Sequence, residues 1–462
     1  MIKIEKLMME NIRSFHGRHE LNLKRINLLV GENSTGKSTI LGVLTALNEQ
    51  NNIPITIINF NTAPFLFGSF NDFITKRGGR SKKEKFLKLG MGFFYRYRTK
   101  QHYNYKKGIL KAEYENSEGQ PKLHRFQLGL KNFYFDILYE KDIKAIIYRH
   151  NKNELIDKYD FDLFFNGVCR ELDNSSKVID LNLDYDDISN KFPPETILKL
   201  IVFELFKKSH DLPNQETNYR DFVNELRFII NYSNYNIVNI APIRSKPLTT
   251  YELHGDIYTP EGNHIPFVIE REFRDNLTSG LIKSIEEFGL ESGLFSKISI
   301  KEFGEPKGSR FALNVKVNGP ARNIAYVGYG VSQALPIVTE SLLVKSGSMI
   351  LMQQPEVHLH PRAQAALGTV LVRIAKDQDK RFMIETHSDY IIDRIRQEIA
   401  KGTIKSDEVN LIYTEMEDNC TKLYEIKLDE NGSLINPPAS YRKFFMEEEY
   451  NLLTREFNGD SN

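Results

Sequence analysis

The chain has 462 residues, with 62 Lys and Arg against 61 Asp and Glu and a formal net charge of +1. That length exceeds one core and predicts two or three subdomains, and the even charge leaves nucleic-acid binding to be argued only from local patches. A hydrophobic share of 40% excludes a disordered chain, no run approaches a membrane span, and Cys169 and Cys420 make neither a disulfide framework nor a metal site.

A reducing cytoplasm is the expected setting, since Met1–Glu5 also lacks the apolar core of a signal peptide. Residues 1–30 read as two strands joined by a turn, followed by the short buried strand Ile26–Val30. Lys3–Leu7 opens the first, and Asn11-Ile12-Arg13-Ser14-Phe15 leads toward Leu21–Leu23. Gly31-Glu32-Asn33-Ser34-Thr35-Gly36-Lys37-Ser38-Thr39 then fits G-x-x-x-x-G-K-[ST] without a mismatch, and Thr39–Leu47 reads as a helix.

The chemistry of a phosphate cradle requires this order. Gly31 and Gly36 permit turns that aim backbone N–H groups at phosphate oxygens, and the following helix adds the positive end of its dipole. Asn33, Ser34, Thr35 and Thr39 complete the loop. Lys37 is placed to reach the β- and γ-phosphates of ATP, and the Ser38 hydroxyl to ligate Mg²⁺.

The opening Asn-Ile-Arg-Ser-Phe, strand, P-loop resembles the start of the RecF, SMC and overcoming-lysogenization-defect (OLD) ATPases. That resemblance implies an arginine near the nucleotide, for which Arg13 is the match; an ordinary surface arginine is the alternative. It also implies a nucleotide-sensing loop near Pro64–Phe73, on position alone.

Residues 76–107 hold twelve basic residues against the single acid Glu84, with Phe93, Phe94, Tyr95, Tyr97, Tyr103 and Tyr105 interleaved. Two readings stand: a DNA contact using cations for phosphates and rings for bases, or a solvated basic face over a strand at Met91–Tyr97. Residues 108–150 alternate as an antiparallel sheet, with a turn at Asn116–Gly119. Together, 1–150 form an expected N-terminal ATPase lobe.

Residues 151–235 read as a mainly helical insertion for oligomer or partner contact. Its helices are Pro194–Phe206 and Tyr219–Ile230; Val178–Leu183 is extended; Asp173–Ser176 and Asp211–Asn214 are breakers. It lacks the sustained heptads of a coiled-coil arm.

Residues 236–462 form the expected C-terminal ATPase lobe. Strand Asn236–Ile240 leads to Arg244, which either faces nucleotide or partner or makes a structural ion pair. Glu261 and His264 sit in a loop where nothing else converges on them. After strand Phe311–Val317, the Gly-rich turn at Gly328, Gly330 and Ser332 starts a helix and is an anion site for the P-loop's reasons. In ABC-class ATPases a signature loop at this place binds the γ-phosphate held by the other subunit; these three residues match it by order.

Strand Ser348–Met352 runs into Gln353-Gln354-Pro355-Glu356-Val357-His358-Leu359-His360-Pro361. This resembles the Walker B and D-loop segment of OLD-like ATPases, with Gln353 and Gln354 in the two acid positions. Glutamine hydrogen-bonds water but accepts no proton at neutral pH. Either other acids serve, with Glu356 and Glu385 the candidates, or hydrolysis is slow. His358 and His360 fit a metal pair or a D-loop. Strand Arg381–Ile384 ends in Glu385-Thr386-His387-Ser388, which resembles the switch-histidine segment, with His387 the γ-phosphate contact. A helix from Tyr390 to Ala400, strands Val409–Thr414 and Thr421–Leu428 and a charged tail follow.

The resemblance implies an α/β fold, an ABC-type ATPase head with mixed and antiparallel sheets plus the helical insertion. It implies ATP and Mg²⁺ as cofactors and a homodimer or higher homo-oligomer closed around ATP. OLD nucleases add a nuclease domain after the switch histidine, and the 75 residues after His387 are too few for it. The expected nuclease is therefore a separate subunit, as in the anti-phage systems Septu and PARIS. A RecF-like repair ATPase acting on DNA and a nucleotide-gated scaffold without turnover are the alternatives.

Overall fold

The computed structural model describes residues 2–48, 58–75, 85–98, 103–131, 133–139, 142–149, 153–161, 163–166, 168, 177–184, 200–203, 217–232, 236–252, 257–275, 280–304, 310–441 and 443. Its opening strands β1 (Ile2–Ile12) and β2 (Phe15–Asn22) enter one sheet, while β3 (Ile26–Gly31) enters another. The chain therefore stitches two sheets together within its first 31 residues.

The first sheet is an antiparallel meander. Its members after β2 and β1 are β4 (Leu87–Arg98), β5 (Tyr103–Ser117), β6 (Gln120–Leu130), β7 (Phe133–Tyr139), β8 (Asp142–Arg149) and β9 (Lys177–Asp184), side by side in that order. Alternation explains it: Leu87, Leu89, Met91, Phe93 and Tyr95 all point inward and are buried. The turn after β5 has Glu118 and Gly119 at φ +52° and +87°, and Gly119 N donates to Asn116 Oδ1 at 2.9 Å. Two successive positive φ angles match the twist of a hairpin.

The second sheet has the order β10 (Ile237–Ile240), β15 (Met349–Gln353), β16 (Arg381–Glu385), β3, β17 (Val409–Glu417), β18 (Cys420–Leu428) and β19 (Leu434–Ile435). The five strands from β10 to β17 are parallel, and β18 and β19 are antiparallel. A small third sheet joins β11 (Tyr251–Glu252), β13 (Arg310–Lys316), β12 (Lys297–Phe303) and β14 (Arg322–Asn323).

The described helices include α1 (Lys37–Asn48), α2 (Phe70–Phe73), α3 (Asn153–Asp157), α4 (Thr217–Tyr232), α5 (Ile265–Arg274), α6 (Leu281–Ser292), α7 (Tyr329–Leu343), α8 (Pro361–Asp377) and α9 (Asp389–Ala400). Each parallel strand buries both faces, so alternate residues feed different cores. Leu29, Leu351, Met383 and Ile412 join the core under the antiparallel sheet, with α1 and α4. Leu28, Val30, Ile350, Ile384 and Leu411 join the core under helices α5 to α9.

Within 151–235, β9 extends the antiparallel sheet beside β8, and α4 buries Phe222, Val223 and Leu226 in the first core. Of the helix read at Pro194–Phe206, residues 200–203 are helical and the rest lies outside the described residues, as do the two breakers and Cys169. Residues 76–84 and 99–102 of the basic stretch also lie outside them. Among the described residues no helix is long and apolar enough to cross a membrane.

Candidate active site

The P-loop is bent by three residues of positive φ: Gly31 at +141°, Ser34 at +64° and Gly36 at +91°. Glycine is required by space as well as by angle. A Cβ at Gly31 would lie 2.1 Å from Thr414 O, and one at Gly36 2.8 Å from the Phe15 ring. Thr35 Oγ1 donates to Glu32 O at 2.8 Å and lies 2.6 Å from Thr414 Oγ1, fastening the loop to β17. Thr39 N donates to Gly36 O at 3.0 Å, which starts α1, while Glu32, Asn33 and Ser34 stay exposed.

Lys37 Nζ donates to Gly31 O at 2.9 Å and Glu32 O at 2.5 Å. Burial lowers its pKa, opposed by Glu385 and Glu32. A phosphate oxygen would replace carbonyls that already hold the ammonium in the loop.

Ser38 Oγ donates to Glu385 Oε1 and Oε2 at 3.2 and 3.1 Å, and Gln353 Nε2 donates to Glu385 Oε2 at 3.4 Å. Sheet register makes this meeting: Gln353 pairs with Glu385, and Glu385 with Leu29 of the strand that feeds the P-loop. The carboxylate facing Ser38 thus comes from β16, the strand next to the one that ends in Gln353. A serine hydroxyl, a carboxylate and an amide oxygen are the hard oxygen donors that suit Mg²⁺. Among the described residues no cluster of three or more His, Cys, Asp or Glu is formed.

Glu356 is placed differently. Its Oε2 accepts from Thr386 Oγ1 at 2.8 Å and its Oε1 from His387 N at 2.6 Å. It holds the Thr386–His387 turn, leaving the His387 side chain exposed. Ser388 caps α9 by accepting from Ile391 N at 3.1 Å, and donates to Gln364 Oε1 at 2.5 Å.

Gly328 precedes α7, and Gly330 lies close under the D-loop-like turn, where an added Cβ would be 3.2 Å from His358 O. Ser332 Oγ donates back to Tyr329 O at 3.0 Å. Within one chain these three residues make no hydrogen bond to the P-loop. His360 caps α8, its Nδ1 accepting from Arg362 N at 3.3 Å, while His358 takes φ +65° with its ring 5.8 Å from that of Tyr329.

Arg13 stands at the β1–β2 turn with its guanidinium 4.8 Å from the Phe67 ring centre and makes no hydrogen bond to the P-loop. Its neighbour Ser14 reaches the loop through Thr421: Ser14 Oγ lies 2.6 Å from Thr421 Oγ1, which lies 3.2 Å from Thr35 O. His264 pairs with Glu340 through Nε2 and Oε2 at 2.7 Å, both buried, so it packs against α7.

Among the described residues Arg244 forms no ion pair. It is 3% exposed, and its Nη atoms donate to carbonyls of Gln333, Pro242 and Gln354 at 3.1, 3.1 and 3.0 Å. Burial pushes its pKa down to about 10, opposed by the field of Glu356. It ties the start of α7 to the Gln354–Pro355 turn. No sequence pattern marks an arginine whose partners are backbone carbonyls.

Among curated proteins none matches this sequence. Solved structures similar in fold include three Smc heads. One is an Smc head bound to the C-terminal winged-helix domain of ScpA, at 11% identity, covering 93% of this chain and 98% of that one, TM-score 0.42. A second is an Smc head with an extended coiled coil bound to the C-terminal domain of ScpA, derived from Pyrococcus furiosus, at 12% identity, 92% and 97% coverage and TM-score 0.42. The third is the SMC head domain of Thermotoga maritima, at 11% identity, 92% and 100% coverage and TM-score 0.39. The assignment rests instead on the sequence match to the AAA ATPase domain, which spans residues 2–392. With most of its length inside that match and an intact P-loop on a mixed α/β fold, the chain belongs to the AAA ATPase domain family.

Proposed function

We propose that this chain binds ATP with Mg²⁺ at Gly31–Thr39, hydrolyses it, and dimerises so that Gly328, Gly330 and Ser332 of a second copy close on the nucleotide. The observation that carries this reading is the Ser38–Glu385 contact at the edge of the parallel strands. It supplies, from β16, an acid beside the P-loop hydroxyl although Gln353 and Gln354 occupy the expected acid positions.

When bound, Mg²⁺ would neutralise charge on the β- and γ-phosphates. Ser38 and Glu385 would hold it, with Gln353 orienting Glu385. Lys37 exchanges the Gly31 and Glu32 carbonyls for phosphate oxygens. Glu356 positions the backbone of His387, whose exposed imidazole would contact the γ-phosphate. Resemblance to ATPase subunits that partner nucleases supports the further reading, control of a separate effector nuclease in anti-phage defence. The basic stretch at 76–107 is then a separate contact to nucleic acid.

Multiple-turnover ATP hydrolysis with Mg²⁺, beside Lys37→Ala, tests the core of this. Turnover that is lost in Lys37→Ala is the expected result. Tight ATP binding without turnover would replace it with a nucleotide-gated clamp, the reading that Gln353 and Gln354 favour.

A further inference from the structure

Among the described residues, one face of the antiparallel sheet is only partly covered. Gly90, Gly92 and Gly129 leave room there for the rings of Phe161, Tyr159 and Phe164, which sit down on the strands. Beyond that cover the same face continues with different chemistry. Register pairs Phe94 with Lys107 and Arg96 with Tyr105. Gly108 stands opposite Leu130, and the same register carried one residue further sets Lys107 opposite Lys131.

Two lysines opposite each other repel. Elsewhere on this face the cations are paired: Lys88 with Glu10 at 2.8 Å and Lys111 with Glu113 at 3.3 Å. Neither Lys107 nor Lys131 has a carboxylate partner among the described residues. Lys107 Nζ donates only to the Asp157 backbone carbonyl at 2.9 Å and stands 4.8 Å from the Tyr159 ring centre. Next to them Phe94 and Tyr105 stack at 5.4 Å and 14°, and Arg96 lies 5.8 Å from the Tyr105 ring. Tyr105 is 60% exposed, a large ring left open to water. Between these side chains and Ile156 and Asp157 of α3 opens a cleft of about 520 Å³.

We propose that this cleft binds single-stranded nucleic acid, with a base stacked on Tyr105 and backbone phosphates between Lys107 and Lys131. It rests on the nucleic-acid contact proposed for residues 76–107 and gives it a place, a third strand and a strand preference. Lysines with no carboxylate bonded to them among the described residues fit phosphate. An open ring over a strand pair fits an unpaired base, which a duplex keeps inside its stack. At about 520 Å³ the cleft has the dimensions of a nucleotide rather than of a duplex. Lys106 also lines the cleft, but its ammonium is already paired with Glu225 at 2.8 Å, so the phosphate contact falls to Lys107 and Lys131.

The test is fluorescence anisotropy of the full chain with a labelled twelve-residue oligo(dT) and a duplex of the same length, in low and moderate salt. Oligo(dT) should bind more tightly than duplex. Tyr105→Ala should weaken it about tenfold or more, and Tyr105→Phe should restore it. Lys107→Glu with Lys131→Glu should weaken it further and flatten its salt dependence. ATP-analogue binding at the P-loop should not change in any of these variants. Lys131→Glu alone, at an exposed turn, keeps the test open if the double variant fails to fold. Binding unchanged by every variant places the contact elsewhere and overturns this site alone. No binding of oligo(dT) overturns the site together with the contact proposed for 76–107, and equal affinity for duplex overturns the preference for an unpaired strand.

Discussion

Glu385 and Glu356 stand near one another in the fold, yet their oxygens face different partners. Glu385 receives the Ser38 hydroxyl, a group that a cation would share. Glu356 receives Thr386 Oγ1 and His387 N, both in the turn that it shapes. The two glutamine substitutions therefore separate. Glu385→Gln removes the charge beside Ser38 and should cut ATP turnover about 10²-fold or more. Glu356→Gln keeps one oxygen for His387 N, and Thr386 Oγ1 can turn to accept from the new amide; turnover should stay within about tenfold of wild type. Glu356→Ala leaves both donors without an acceptor and should lose turnover, since each charge-assisted bond contributes about 1.5–3 kcal/mol. Steady-state hydrolysis by the three variants decides it. A Glu356→Gln chain that is dead beside an active Glu385→Gln chain would exchange the two roles. At this scale, local spacing made the P-loop readable, because backbone geometry imposes that spacing, whereas Thr386-His387-Ser388 was marked by resemblance alone. The Ser38–Glu385 contact was not readable, because it depends on the register of strands more than 340 positions apart.

The elements around the site are held by a residue that no motif contains. Arg244 lies just after β10 and binds carbonyls on α7 and on the turn after β15. A buried guanidinium without a hydrogen-bonded carboxylate is costly, and here the carbonyl fork offsets the cost. Arg244→Ala leaves those carbonyls unpaired and should lower stability by about 2–4 kcal/mol. Arg244→Lys keeps the charge but reaches fewer of them, and should recover only part of the loss. Hydrogen exchange distinguishes a clamp from a merely buried side chain. In Arg244→Lys the amides of 329–333 and 354–359 should exchange faster together, with the P-loop unchanged. Faster exchange confined to 241–245 would show that Arg244 couples nothing. The strands and helices themselves were mostly legible, since Met91–Tyr97 alternates and the helix from Tyr390 has one apolar face. The extent of β4 and β5 was harder, because Arg96, Tyr105 and Lys107 read as surface whether or not the chain is extended.

In the whole molecule, the P-loop is completed by the far end of the chain. β3 lies between β16 and β17, so both of its edges are paired by residues after 380. Gly31 packs on Thr414, Ser38 meets Glu385, and Arg381 is buried with its guanidinium bonded to the carbonyls of Ile4, Leu23 and Lys24. A fragment of residues 1–235 carries the entire P-loop motif but leaves β3 with two open edges, and an unpaired buried backbone is costly. That fragment should not bind a fluorescent ATP analogue. Adding residues 236–462 as a second chain should restore binding, because the joint runs through a sheet and two cores rather than through a linker. ATP binding by 1–235 alone, at the affinity of the full chain, would mean that the first half folds its nucleotide loop unaided. The long reach also explains why motif order read so much of the site and so little of its contacts. Each motif is a local turn, whereas the site is the place where a parallel sheet brings several such turns to one edge.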